Sequence, residues 1–151
     1  MEDITLKMID STDSLKKCAA LLAEAYNAPP WQDNWTEEKA FEKLNFYFNS
    51  PNFYGLMAFQ GDKIAGGCVG NIEPYFTGNY FFLKDMFVSV GSQRQGVGSR
   101  LIMALREYLD SSGVNTIILF TSNQHFTYDF YMKNDFKIME GICMMHYGPT
   151  D

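Results

Sequence analysis

Two glycines one residue apart lie in a short turn that is rich in hydrogen-bond donors, Gln93 to Ser99. The residues before it, Tyr80 to Val88, are mostly aromatic or aliphatic and predict a strand. The residues after it carry apolar side chains at helical spacing. The first N–H groups of a helix lack intrahelical partners and attract negative charge, and glycine lets a ligand approach the backbone. The pattern predicts an anion site, most naturally for phosphate, with an ordinary strand-to-helix connection as the alternative.

Two familiar nucleotide-binding patterns do not fit this turn. A Walker loop would place Lys and then Ser or Thr after its last glycine, but Ser99 and Arg100 follow Gly98. A Rossmann fingerprint would need a third Gly or Ala at the position of Leu101. The sequence therefore excludes both of these nucleotide folds.

The rest of the chain predicts strands and helices that would position this turn. Residue patterns predict strands at 4–8, 53–59, 64–72, 80–88 and 115–121, and a closing hairpin at 136–139 and 142–147. Helical spacing predicts two helices before the first hairpin, a third after the glycine turn and a fourth at 126–134. Residues 10–14 and Thr36 are candidate N-caps, and Gly113 is a candidate C-terminal cap. The resulting order is β-α-α-β-β-β-α-β-α-β-β.

The composition indicates one globular domain over residues 1–151, of which 46% are hydrophobic and 20% charged. No apolar run is long enough for a membrane span and no signal-peptide pattern opens the chain, so we expect a cytoplasmic protein without a membrane partner. A net charge of −6 argues against nucleic acid and mildly favours a cationic partner, although solubility explains it equally well. The three scattered cysteines predict buried thiols, and together with the two distant histidines they predict no metal site.

Two segments resemble the GNAT acetyltransferase superfamily. The turn matches its acyl-coenzyme A signature, Gln/Arg-x-x-Gly-x-Gly/Ala after a strand that ends in Phe-Val, and Phe130 to Phe136 is similar to its Phe-Tyr-x-Lys-x-Gly-Phe segment. The resemblance covers about residues 4–147 and is strongest from Lys84 to Phe136. It implies an α/β (α+β) fold with a central mixed, mostly antiparallel sheet of about seven strands. This sheet would be splayed between strands 4 and 5 and flanked by about four helices.

The resemblance also implies a co-substrate, acetyl-CoA. Backbone N–H groups of the turn would hold its pyrophosphate, at the matching positions Gln93, Arg94, Gln95, Gly96, Val97, Gly98 and Ser99. Phe87 and Val88, on the edge of the fourth strand, would pair with the pantetheine as an added strand does. Asn123 or Gln124 would give a further pantetheine contact.

Two residues are candidates for proton transfer because they match the family's positions. Tyr131 would be the acid that protonates the leaving thiolate, and the alternative is a packed aromatic ring. Asp85 would be the base, with a purely structural carboxylate equally plausible. Lys84 stands where other members carry Glu or His, and strand alternation puts it on the face opposite Asp85.

The segment between the first two strands would form much of the acceptor pocket in this family, which makes Tyr26, Trp31, Asp33 and Trp35 acceptor-site candidates, as Lys84 is if it faces the acceptor. Core packing is the alternative for the aromatic residues and solvent exposure for the acid.

We expect an acetyl-CoA-dependent N-acetyltransferase of a small-molecule amine, such as an aminoglycoside or a polyamine. A non-catalytic acyl-CoA-binding module and a peptide or protein N-acetyltransferase are the alternatives. Both a monomer and a homodimer are open.

Overall fold

The structure is a computed structural model that describes residues 3–149. It contains two compact units, of which the first ends at Phe120 and the second begins at Thr121. The first unit holds all five strands and three α-helices: β1 (Ile4–Met8), α1 (Thr12–Asn27), α2 (Glu37–Phe48), β2 (Phe53–Gln60), β3 (Lys63–Glu73), β4 (Tyr80–Val88), a short 3-10 helix (Val90–Ser92), α3 (Val97–Ser111) and β5 (Ile117–Ile118). The second unit holds α4 (Phe126–Lys133).

The sheet has the strand order β1-β2-β3-β4-β5. The first four strands pair antiparallel, and β5 pairs parallel to β4 through Phe81 with Ile117 and Phe82 with Ile118. Beyond Phe82 the two strands separate, so residues 83–88 have no strand partner on that side in the described chain. The predicted fold class, a mixed and mostly antiparallel sheet that is splayed between strands 4 and 5, is confirmed.

Side chains along β4 alternate between two environments. Phe81, Leu83, Asp85 and Phe87 are buried, and the residues between them are partly exposed. Phe87 belongs to a core that is built mainly from α1 and α2 and contains Leu15, Leu22 and Leu44. The alternation agrees with the strand predicted from the sequence. It places one carboxylate, that of Asp85, among apolar side chains.

Helix α3 packs closely against the sheet because Gly66 in β3 has no side chain. A Cβ atom at Gly66 would lie 2.9 Å from a Val97 methyl carbon and 3.3 Å from one of Leu101. Both contacts lie in the first turns of α3. A glycine in β3 therefore sets how closely the start of α3 approaches the sheet.

The predicted helix boundaries agree with the observed caps. The Ser11 hydroxyl accepts a hydrogen bond from the Ser14 N–H at the start of α1, and Thr36 accepts one from Lys39 at the start of α2. At the end of α3, Gly113 adopts a φ of 75°, and the Val114 N–H donates to the Leu109 carbonyl at 2.8 Å. These contacts satisfy end groups that a helix cannot satisfy internally.

The C-terminal part differs from the prediction. The expected hairpin at 136–147 is absent from the described residues, so the sheet has five strands instead of about seven, and β5 has two residues. Apolar side chains of this segment are exposed, as in Ile138 at 64% and Met145 at 87%. Alternation of residue types predicted the hairpin, but a strand also needs a ladder partner, which the second unit does not contain. Cys143 is likewise exposed, so the prediction of three buried thiols holds only for Cys18 and Cys68.

Candidate active site

The turn between β4 and α3 leaves the helix N-terminus without a side-chain cap. Gly96 occupies the N-cap position with a φ of 83° and no side-chain hydrogen bond. A Cβ atom there would meet nothing within 4 Å, so the backbone is open to an approaching group. Arg94 also has a positive φ, of 64°. The turn therefore has the exposed backbone and helix N-terminus that bind an anion.

Side chains tie this turn to the end of β2. The Ser92 hydroxyl donates to Gln60 Oε1 at 2.8 Å, and Gln60 Nε2 donates to Gln95 Oε1 at 2.9 Å. Gln95 Nε2 in turn donates to the Gly91 carbonyl at 3.0 Å. Gln95 thus uses both its amide oxygen and its amide nitrogen in contacts within the protein, and Gln60 was not among the predicted site residues.

The unpaired edge of β4 begins beside this turn. The Ser89 N–H donates to the Ala65 carbonyl of β3 at 2.8 Å, so strand alternation turns the backbone groups of Phe87 toward β3 and those of Val88 and Met86 away from it. The Phe87 side chain is only 2% exposed. An added strand would therefore meet Val88, as predicted, and Met86 in place of Phe87. The parity of the strand could have identified Met86 from the sequence.

Asp85 lies against α1 and α2 with two partners. The Tyr26 hydroxyl donates to Asp85 Oδ1 at 3.0 Å and lies 3.1 Å from the Met86 carbonyl. Lys43 Nζ donates to Oδ1 at 3.2 Å and lies 3.0 Å from Oδ2. Although Oδ2 is this close to the ammonium, it is buried and accepts no hydrogen bond from the described residues. The Lys43 contact with Oδ2 is therefore one of charge.

Burial and charge act in opposite directions on Asp85. Burial raises the pKa of its carboxyl group, and Lys43 and then Tyr26 lower it. Burial also raises the pKa of Tyr47 to about 12, with a smaller contribution from the Asp85 charge. The site thus contains one carboxylate whose ionisation depends on an adjacent ammonium group.

Aromatic residues of the loop after α1 lie next to this pair. The Lys43 ammonium is 5.1 Å from the centre of the Trp35 ring, and the Trp35 indole N–H donates to Asp33 at 3.1 Å. Trp31 packs edge-on against Tyr26 with ring centres 6.4 Å apart. The structure therefore brings together Asp85 and all four predicted acceptor candidates of this segment.

Lys43 was not predicted, although the sequence contains a signal for it. It follows Ala40 by three residues and precedes Tyr47 by four, so it is a charged residue on the apolar face of α2. A charge in such a position is expected to have a partner.

Lys84 faces a different group of residues. Its ammonium lies 3.7 Å from Glu73 Oε2 and 3.7 Å from the centre of the Phe82 ring. The Tyr80 hydroxyl donates to the same Glu73 carboxylate at 2.7 Å, and this hydrogen bond raises the pKa of Tyr80. The predicted opposition of Lys84 and Asp85 is observed, and Glu73 is a second carboxylate that the sequence did not single out.

The remaining predicted site residues belong to the second unit. The Tyr131 ring is partly buried between Phe130 and Phe136, at centre distances of 5.1 Å and 5.3 Å. Asn123 and Gln124 are exposed, and the Gln124 backbone N–H donates to the Ser122 hydroxyl at 3.1 Å.

Two further kinds of feature are absent from residues 3–149. No group of three or more His, Cys, Asp or Glu side chains is arranged to hold a metal ion there. No helix in the same range is long and apolar enough to cross a membrane.

Several solved structures share this fold. An aminoglycoside acetyltransferase, meta-AAC0020, from an uncultured soil metagenomic sample and in complex with sisomicin, is 18% identical over 97% of both chains with a TM-score of 0.75. AAC(6')-Iy in complex with the bisubstrate analogue CoA-S-monomethyl-acetylneamine is 15% identical over 97% of this chain and 99% of its own, also with a TM-score of 0.75. A possible acetyltransferase from Clostridium difficile 630 is 12% identical over 98% and 99%, with a TM-score of 0.80.

The sequence itself gives the more specific comparison. No curated protein matches it. The Acetyltransferase (GNAT) family matches residues 19–136, which include the α1–α2 segment, the β4 edge, the glycine turn and Tyr131. The uncapped start of α3, the unpaired edge of β4 and this match all agree, and the chain belongs to the acetyltransferase (GNAT) family.

Proposed function

We propose that this enzyme transfers an acetyl group from acetyl-CoA directly to the amine of a small molecule. The observation that carries the proposal is the uncapped N-terminus of α3 directly after the β4 edge, which is unpaired beyond Phe82 in the described chain. A free helix N-terminus binds an anion, and an unpaired strand edge accepts an extended polar chain. Coenzyme A presents both groups, a pyrophosphate and a pantetheine with two amides.

The turn fits coenzyme A by its own geometry, because Gly96 points no side chain at the helix N-terminus. In this proposal the backbone N–H groups at 93–99 bind the pyrophosphate, and Val88 and Met86 pair with the pantetheine. Asn123 or Gln124 gives a further contact, as the family resemblance implies. Acetyl-CoA supplies an activated thioester, and the protein supplies position and proton transfer.

The acceptor amine must lose a proton before it can attack. An alkylammonium group with a pKa near 10.4 is only about 0.04% free amine at pH 7. We assign the base to Asp85, acting directly, through water or through the Tyr26 hydroxyl that it binds at 3.0 Å. Tyr131 is the proposed acid for the departing thiolate, on the strength of its family position. The family match runs across the boundary between the two units, so we treat both as one acetyltransferase domain.

The acceptor class follows from the residues near Asp85. Trp31 supplies an aromatic ring, and the Trp35 ring already faces the Lys43 ammonium. Asp33 and the net charge of −6 favour a cation and disfavour nucleic acid. The two carboxylates described beside β4 are each paired with a lysine, Asp85 with Lys43 and Glu73 with Lys84. We expect an amine with several polar groups, as in aminoglycosides, since one of the similar structures is named an aminoglycoside acetyltransferase.

The experiment is thiol release from acetyl-CoA across a panel of amines. Aminoglycosides, polyamines and peptides with free N-termini are compared at equal concentration, and coenzyme A binding is measured separately by calorimetric titration. We expect binding and release with at least one small amine. Binding without release from any amine would indicate an acyl-CoA-binding module, and release with peptides alone would indicate a peptide or protein N-acetyltransferase. A protein that binds no coenzyme A would contradict the proposal altogether.

A further inference from the structure

The side chain of Gln60 bridges the end of β2 and the turn before α3. It accepts from Ser92 at 2.8 Å and donates to Gln95 at 2.9 Å, and Gln95 continues to the Gly91 carbonyl at 3.0 Å. Ser92 is 7% exposed, and Gln60 and Gln95 are partly buried. The turn is thus attached to the sheet at two points by one side chain.

The chemistry of the groups fixes the direction of these hydrogen bonds. The Gly91 carbonyl can only accept, so the amide nitrogen of Gln95 must face it and the Gln95 oxygen must face Gln60. Gln60 therefore presents its nitrogen to Gln95 and its oxygen to Ser92. The position needs a side chain that donates at one atom and accepts at another, which a hydrophobic side chain of the same length cannot do.

The attachment adds to the backbone hydrogen bonds of Ser89 and Ser92 and to the packing of Val97 against Gly66. The N-cap Gly96 provides no side-chain bond, and both Arg94 and Gly96 have positive φ values, of 64° and 83°. Gln60 lies within the sheet, where its backbone pairs with Ile4 of β1 and Lys63 of β3. Fixed hydrogen-bond donors bind an anion better than mobile ones, because their ordering costs nothing when the ligand arrives.

We propose that Gln60 is a positioning residue for the pyrophosphate of coenzyme A. It touches no ligand itself and holds the backbone at 91–95 in the geometry that binds phosphate. This inference rests on the proposed function, because it concerns the same coenzyme site.

The test compares coenzyme A with pantetheine, which lacks the pyrophosphate together with the 3′-phosphoadenosine attached to it. Calorimetric titration gives Kd values for coenzyme A and for pantetheine with the wild-type protein, Gln60→Met and Lys63→Met. Lys63 pairs with Gln60 across the β2–β3 hairpin and is exposed, so Lys63→Met controls for a methionine in this hairpin. We expect Gln60→Met to weaken coenzyme A binding about tenfold, the effect of losing one or two hydrogen bonds, with unchanged affinity for pantetheine.

The outcomes separate this inference from the proposed function. Equal weakening for both ligands would mean that Gln60 only supports the fold, and unchanged affinity for coenzyme A would also overturn the inference. A wild-type protein without affinity for coenzyme A would overturn the proposed function and this inference with it. If Gln60→Met does not fold, Ser92→Ala removes the other end of the same chain of hydrogen bonds and must give the same selective loss.

Discussion

Two opposing effects act on the ionisation of Asp85, the proposed base. Its carboxyl group is buried, which favours the neutral form, and Lys43 lies close enough to favour the charged form. A base has to be ionised to accept a proton. In the proposed mechanism the ammonium of Lys43 therefore favours the ionised form that Asp85 needs as a base, against the larger opposing effect of burial, which raises the pKa.

This balance predicts how the pH dependence responds to Lys43→Met. Lys43 lowers the pKa of Asp85, so its removal raises that pKa. Activity that needs ionised Asp85 is lost as the pH falls through this pKa, and the acid limb of kcat therefore moves to higher pH in the variant. The control is Lys39→Met, since Lys39 on the same helix is 69% exposed and pairs only with Glu42 among the contacts described. An unchanged acid limb would show that another group is the base.

Tyr131→Phe tests the acid. The variant keeps the ring between Phe130 and Phe136 and removes only the hydroxyl group. General acid catalysis contributes typically 10²- to 10⁴-fold, so we expect a loss of this order in kcat with nearly unchanged affinity for coenzyme A. Tyr147→Phe is the control, because Tyr147 is fully exposed in the same unit. Full activity of Tyr131→Phe would mean that water protonates the thiolate.

At the scale of elements, α3 lies between two glycines with left-handed backbone conformations, and these glycines differ in their proposed roles. Gly96 precedes the helix with a φ of 83° and Gly113 follows it with a φ of 75°, and a Cβ atom at either would meet nothing within 4 Å. Replacing each by Ala imposes a similar backbone strain of about 1 kcal/mol without a clash. We expect both variants to lower Tm similarly and only Gly96→Ala to weaken coenzyme A binding. Equal affinities in the two variants would remove the phosphate role of the turn.

The elements show which parts of the structure local sequence could predict. Caps at Ser11 and Thr36, the alternation of β4 and the strand–turn–helix at Gly96 depend on residues next to one another, and these predictions agree with the structure. Contacts between elements follow from tertiary packing, so neither the Lys43 contact with Asp85 nor the Gln60 contact with Ser92 was foreseen. The prediction of a hairpin at 136–147 was wrong for a related reason. Its pattern is local, but a strand exists only where a neighbouring strand completes its ladder.

At the scale of the whole molecule, the three cysteines allow the packing of the two units to be tested separately. Cys18 and Cys68 are buried in the first unit, and burial raises the pKa of each thiol to about 12. Cys143 is exposed in the second unit. Since the thiolate is the reactive form, a thiol with a pKa of about 12 is ionised in only about one molecule in ten thousand at pH 8, and burial also blocks the reagent.

A thiol reagent should therefore label one cysteine quickly in the native protein and all three after denaturation. Cys143→Ser should abolish the fast phase, while Cys18→Ser should leave it unchanged because that thiol does not react in the native state. The measurement is the stoichiometry and rate of labelling at pH 8, with the labelled position identified by peptide mass. Fast native labelling of Cys18 or Cys68 would contradict the packing of α1 and β3 around the core. Slow labelling of Cys143 would show that the segment at 136–147 is covered in solution, as the predicted hairpin required.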